Sequence, residues 1–194
     1  MASSADIETT LVDMIASVLY PASGPAFDGK VSVARGWPTE ADIRNAVGNG
    51  AHLIGVYAVP QTARDVTKSL RYWRVLSPGY GVLEVGRIEQ NFRIDIWAST
   101  PDARDDILTL LEPALKFKIR YILPDDSIAT LMNMRVAGPN DRPSRVDEWA
   151  QSFELQFQYP LLYAQAQTVV TSINLAEATE NTNNSTNISP PSPT

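Results

Sequence analysis

Arg87-Ile88-Glu89-Gln90-Asn91-Phe92-Arg93-Ile94-Asp95-Ile96-Trp97-Ala98-Ser99-Thr100-Pro101-Asp102 passes from a strand pattern to a helix start within one tripeptide. From Ile88 the even positions hold Ile88, Gln90, Phe92, Ile94 and Ile96, and the odd ones hold Arg87, Glu89, Asn91, Arg93 and Asp95. Period-two alternation with one polar exception predicts a half-buried strand. Trp97-Ala98-Ser99 closes it. Thr100 then supplies an N-cap hydroxyl, Pro101 suits the first helical position, and Asp102 meets the positive end of the helix dipole. A sheet with a helix laid across it follows.

The flanking segments extend this pattern. Ile7, Leu11, Met14, Ile15, Val18 and Leu19 share one helical stripe, which Pro21 ends. Val31 to Ala34 reads as a short strand leading into Arg35-Gly36-Trp37-Pro38. Thr39 caps a helix whose apolar stripe is Ile43, Ala46 and Val47, and Gly48-Asn49-Gly50 stops it. Ala51 to Val59 is a near-continuous apolar run, expected of a central strand. Gln61 to Arg71 is polar and reads as weakly helical, with Arg64, Lys68 and Arg71 at helical spacing. Tyr72 to Leu76 and Val82 to Trp97 predict strands, the second broken at Gly86.

The helix from Thr100 is expected to reach about Phe117, with Pro113 kinking it or ending it early. Lys118 to Leu123 and Ile128 to Val136 flank the turn Pro124-Asp125-Asp126-Ser127. Gly138 to Arg145 reads as a loop. Phe153, Leu155, Phe157 and Tyr159 alternate with polar residues in a second half-buried strand, and a last strand is expected over Thr168 to Leu175. The order of elements predicts an α+β fold: a mostly antiparallel sheet with an N-terminal helix and one or two helices packed on it.

At 194 residues the chain suits a single domain over 1–175, followed by a low-complexity Asn/Ser/Thr/Pro tail over 176–194. The tail has too little apolar surface to offset its ordering entropy in isolation. Its Asn183, Asn184 and Asn187 open N-x-Ser/Thr sequons, which an Asn/Ser/Thr tract produces by chance. A domain of this size buries roughly 70% of its unfolded surface, so its core needs no staples. With no cysteine, disulfides and thiolate chemistry are excluded. Sixteen basic against 22 acidic residues give a net charge of −6, which argues against a phosphate-binding surface. No run reaches the ~18 apolar residues of a membrane helix. The start, Met1-Ala-Ser-Ser-Ala-Asp6, lacks a basic, apolar leader, so the expectation is a soluble intracellular protein.

The candidate chemistry is sparse. His52, the only histidine, opens an apolar strand and is expected to be a hydrogen-bonded structural residue. No Gly-x-Ser-x-Gly accompanies Ser69 or Ser77, and neither a P-loop nor a complete Gly-x-Gly-x-x-Gly occurs. Asp102, Asp105 and Asp106 offer a carboxylate metal or acid–base site, but their place at a helix start explains them more simply. No catalytic, cofactor-binding or metal residue is assigned. Arg64, Lys68, Arg71 and Arg74, with Tyr72 and Trp73 among them, form the one basic-aromatic cluster, read either as a solvated face or as a candidate interface.

These residues, taken in order, resemble a family of tailed-bacteriophage virion proteins, the tail-completion, tail-terminator and neck proteins. The likeness rests on the N-terminal helix into Tyr20-Pro21, the strand into Arg35-Gly36-Trp37-Pro38, and the Arg64 to Trp73 segment. It continues through Arg87 to Ala98 with Thr100-Pro101 and Arg104-Asp105, the turn near Asp125, and the aromatic strand through Tyr159 and Tyr163. It covers about residues 5 to 175.

The resemblance implies a non-enzymatic, hexameric ring subunit in the virion tail or neck, assembled in the host cytoplasm. Its implied partners are further copies of itself, tail tube and sheath proteins, and neck or connector proteins. DNA would be passing cargo, with no membrane and no cofactor involved. Alternatives are another junction component, such as a tube-initiating or baseplate-proximal subunit, or a small cytoplasmic enzyme built on a carboxylate pair. A small-ligand binding module ranks below both.

Overall fold

The computed structural model describes residues 3–77, 80–138 and 149–166, with backbone alone for the strand residues 67–77, 80–82 and 163–166. Helix α1 spans Ser4–Leu19, β1 Val31–Arg35, α2 Glu40–Gly48, β2 His52–Ala58, β3 Arg64–Ser77 and β4 Tyr80–Ala98. Helix α3 spans Pro101–Phe117, β5 Arg120–Ile122, β6 Ile128–Val136 and β7 Trp149–Ala166. The fold is α+β. Among the described residues seven strands form one sheet in the order β1-β2-β4-β7-β6-β5, with β3 also paired to β4. Only β1 and β2 are parallel; the other neighbours are antiparallel.

The helix starts follow their cap chemistry. Ser3 and Thr39 each close a reciprocal capping box, with Asp6 and Asp42 as the third helical residues. The Thr100 hydroxyl accepts the Ala103 N–H at 3.2 Å, with Pro101 at the first helical position. Helix α1 buries Ile7, Leu11, Met14, Ile15 and Leu19, worth roughly 10 kcal/mol before ordering entropy is subtracted.

Register assigns the two sheet faces. Ile54 lies opposite Ile96, Val56 opposite Ile94, Ile94 opposite Phe153 and Phe92 opposite Leu155. All are buried in one core with the α1 and α3 stripes. Helix α1 packs on β1, β2 and β5, while α3 packs on β4 and β7; the sheet therefore curls around the helix pair until both of its outer strands reach α1. The Gln90 exception in the alternation has a cause: its Oε1 accepts the buried Tyr159 hydroxyl at 2.8 Å. On the opposite face α2 covers only one end, where Ile43 and Val47 meet Leu53 and Trp97.

Three expectations need correction. Gln61 to Arg71 is not helical, because Arg64 onward belongs to β3, which pairs with β4 from Arg64↔Glu89 to Ser77↔Tyr80. Arginines and lysines spaced by four share a strand face as readily as a helix face, so the spacing did not discriminate. Helix α3 is not shortened by Pro113. That proline is exposed, so the carbonyl it leaves unbonded faces water, while Ile107, Leu111 and Leu115 continue the buried stripe through it. Gly86 does not break β4; the pairing with β7 absorbs it as a register shift between Glu84 and Gly86. The last strand expected over 168–175, the tail over 176–194 and most of the Gly138–Arg145 loop lie outside the described residues.

Strand β4 is long enough, at about 3.3 Å per residue, for β2 and β3 to share one of its edges end to end. Beta-2 pairs with its second half and β3 with its first, while β7 runs along the other edge for its full length. The core residues of β4 begin near Phe92. The first half of β4, with β3 and the end of β7, forms a three-stranded arm of the sheet among the described residues.

Candidate functional site

The outer face of the sheet, opposite α1 and α3, carries the odd residues of β4, and they are less exposed than alternation alone suggests. Asp95 is 4% exposed and Glu89 9%. Each carboxylate is held from neighbouring strands. Asp95 accepts the Tyr57 hydroxyl from β2 at 2.6 Å and Arg93 Nε at 2.8 Å, and Arg93 also donates to Ser152 Oγ on β7 at 2.8 Å. Glu89 accepts from Arg64 on β3 at 2.6 Å and from Gln156 Nε2 on β7. Burial, the hydrogen bond to Asp95 and that residue's charge push the Tyr57 phenol well above its usual range, against the opposing charge of Arg93. The lattice stitches β2, β3, β4 and β7 together. Beside it, Asn91, Arg93, Asn133, Arg135, Glu154 and Gln156 line a polar depression of about 400 Å³.

His52 is buried at the start of β2, where its Nδ1 accepts the Ser99 N–H at 3.3 Å and its ring meets Phe27 edge-on at 5.9 Å. Burial, aided by the charge of Lys30, holds its pKa below the ordinary value. Asp102, Asp105 and Asp106 are exposed on the first turns of α3, and Asp105 pairs with Arg104 at 2.8 Å. Among the described residues no group of three or more His, Asp or Glu side chains is placed to hold a metal ion.

The basic-aromatic cluster is distributed along β3. Arg64 is engaged with Glu89 at its start. Lys68 pairs in register with Gly86, Tyr72 with Glu84, Trp73 with Leu83 and Arg74 with Val82, while Arg71 falls in the irregular stretch between Lys68 and Tyr72. The side chains from Lys68 to Arg74 lie outside the described part of the structure. As a strand pair, the segment supplies the arm rather than a helical face.

Two further surfaces were not singled out by sequence reasoning. At the β5 edge Phe117 is 88% exposed, Ile122 69%, Ile119 59%, Met132 54% and Ile128 44%. Ile122 and Ile128 are register partners on the outward side of the hairpin, while Tyr121, next to Ile122, points inward and stacks edge-on against Phe157 at 5.0 Å. Lys116, Lys118 and Arg120 are interleaved with this strip. The signal in the sequence was the run Tyr121-Ile122-Leu123, apolar on both faces of a strand beside a turn.

At the other edge of the sheet, next to β1, a cleft of about 460 Å³ is lined by Ser32, Ala34, Trp37, Asp42, Ala46 and Leu53, among others. Trp37, 61% exposed, stands edge-on against Tyr57 at 5.0 Å and Trp97 at 5.8 Å. Gly55 makes this possible: a β-carbon there would lie 2.9 Å from Pro38 Cδ and 3.1 Å from the Trp97 ring. The Gly36-Trp37-Pro38 and Trp97-Ala98-Ser99-Thr100-Pro101 motifs, distant in sequence, therefore meet over one glycine.

No protein-family model matches the chain, and no curated protein sequence matches it. Among the described residues no helix is long and apolar enough to cross a membrane.

Proposed function

We propose that this chain is a structural protein of a tailed-bacteriophage virion. On this reading it is a ring-forming tail-terminator or tail-completion subunit at the tail–neck junction, which ends tube polymerisation and docks the head connector. It acts without covalent chemistry, through contacts with copies of itself, with tail tube and sheath proteins, and with neck proteins, while DNA passes its bore. The exposed apolar strip at the β5 edge carries the reading. Five large apolar side chains at 44–88% exposure, close together in the chain around the β5–β6 hairpin, amount to the apolar area that marks an interaction surface. The Trp37–Trp97 contact supports it as well, since it unites the two motifs on which the family resemblance rests. The three-stranded arm of the sheet gives a subunit backbone edges to share with neighbours.

Light scattering and native mass spectrometry of the purified protein, alone and with virion partners, test this. A closed oligomer is expected, and monomer in every mixture refutes the reading. Imaging particles that lack the chain should show tails of uncontrolled length or tails detached from heads. An unformed baseplate would instead place the chain at the other end of the tail.

A further inference from the structure

We propose that the cleft beside β1 is the seat of this chain's own proline segment, Pro190-Pro191-Ser192-Pro193. The inference goes beyond the virion reading and does not depend on it. Three of the chain's 14 prolines fall within these four residues, among them its one adjacent pair. Each proline fixes φ near −65°, so the sequence favours polyproline II, an extended helix whose carbonyls make no internal hydrogen bonds. Segments of this kind dock in aromatic-lined grooves, and little ordering entropy is lost because the helix is preformed.

The cleft supplies an aromatic wall and free donors. Trp37, 61% exposed and held edge-on by Tyr57 and Trp97, forms the wall. Ala34, Pro38 and Leu53 add apolar lining. The Trp37 indole N–H and the Asn45 side-chain amide have no protein partner among the described residues, so both can donate to the carbonyls of a seated backbone. Charge does not select the occupant. Arg35 and Asp42 both line the cleft, with Arg35 lying 3.8 Å from Glu8 and Asp42 accepting the Thr39 hydroxyl at 2.6 Å. An uncharged segment suits such a lining, and residues 181–194 contain no Asp, Glu, Lys or Arg. At about 460 Å³ the cleft has the size of a site for a short, compact ligand.

The length of chain beyond β7 permits this seat. Arg35 is in register with Val56, Val56 with Ile94 and Ile94 with Phe153. The cleft therefore lies about level with Phe153, three strands away. From Ala166, where β7 ends, the span along and across the sheet is about 45 Å. Residues 167–189 reach up to about 75 Å when extended.

The chain has no cysteine, so Thr194→Cys carries a single nitroxide on the full chain. The Trp37 indole N–H signal, assigned by its loss in Trp37→Phe, is expected to lose most of its intensity relative to the reduced, diamagnetic sample. Pro190→Ser with Pro191→Ser and Pro193→Ser should restore it. A second sample mixes isotope-labelled chain lacking the nitroxide with unlabelled chain bearing it, and there the signal should keep its intensity. A loss in the mixture as large as in the first sample overturns the same-copy seat. An unbroadened Trp37 signal in the first sample, or broadening that survives the triple serine variant, overturns the docking itself.

Discussion

Replacing Gly55 by alanine tests whether the Trp37–Pro38 loop is truly seated on the sheet. The added methyl would lie 2.9 Å from Pro38 Cδ, 3.1 Å from the Trp97 ring and 3.3 Å from the Gly36 carbonyl oxygen. None of these is the free end of a flexible side chain: one belongs to a ring closed on the backbone, one to a packed indole and one to the backbone itself. Overpacking of this kind costs about 1–3 kcal/mol, partly offset by the ~0.5 kcal/mol or more that alanine gains over glycine in a strand. The net expectation is a loss of about 1–2 kcal/mol, read as a lower urea midpoint at unchanged slope and a melting temperature lower by about 2–8 °C. Gly48→Ala is the matched control. Gly48 is the last residue of α2, and its added methyl meets nothing within 4 Å, so that variant should be neutral or slightly more stable. A Gly55→Ala protein as stable as the wild type would refute the seating of Pro38 and Trp37 on the strand.

Other perturbations address the lattice, the histidine and the proline inside α3. Asp95→Ala strands the Tyr57 hydroxyl and one side of Arg93, and should cost about 2–3 kcal/mol in urea unfolding, discounted for the partial exposure of Arg93; a loss below ~0.5 kcal/mol would show that the lattice contributes little. His52 has a folded-state pKa below the ordinary 6.5, so the unfolded chain binds its proton first. Its contribution is complete above about pH 6.5 and is lost as pH falls through the folded value, at up to ~1.4 kcal/mol per pH unit. His52→Gln should therefore flatten the fall in urea midpoint from pH 7.5 to 5, and parallel profiles would contradict this. Pro113→Ala restores an amide to the exposed side of α3 and should stabilise by about 1–3 kcal/mol; no gain in melting temperature would mean that the helix already accommodates the proline at no cost.

The sequence made most of the body legible because its signals were local. Caps at Thr39 and Thr100, the stripe of α1 and the alternation of β4 and β7 each lie within a few residues of their consequence. The failures share a cause in tertiary structure. Beta-3 is a strand because β4 offers it an edge, and nothing within Gln61 to Arg71 announces that partner. The buried state of Glu89 and Asp95 depends on Tyr57, Arg64, Ser152 and Gln156, which approach from other strands. His52 was read as structural from its place in an apolar strand, and Ser99 supplies its hydrogen bond.

The alternation pattern itself separates two kinds of sheet surface. Along β7, Phe153, Leu155, Phe157 and Tyr159 are buried, while the intervening residues are polar and belong to the lattice face. That is the pattern of a strand with one apolar neighbour layer. At the hairpin of β5 and β6 the alternation fails: Tyr121, Leu123 and Ala129 are buried inward, yet the outward partners Ile122 and Ile128 are also apolar. A strand apolar on both faces is what a sheet covered on both faces requires, yet the outward partners Ile122 and Ile128 are 69% and 44% exposed. The outward side of this hairpin is therefore apolar without a covering layer among the described residues. The same reasoning makes a quantitative demand on the monomer. The purified chain should bind a hydrophobic dye at the β5 edge, and Ile122→Asp with Ile128→Thr should abolish that signal without lowering its stability by more than about 0.5 kcal/mol per site. Loss of the fold in that variant would instead mean that the outward isoleucines stabilise the monomer.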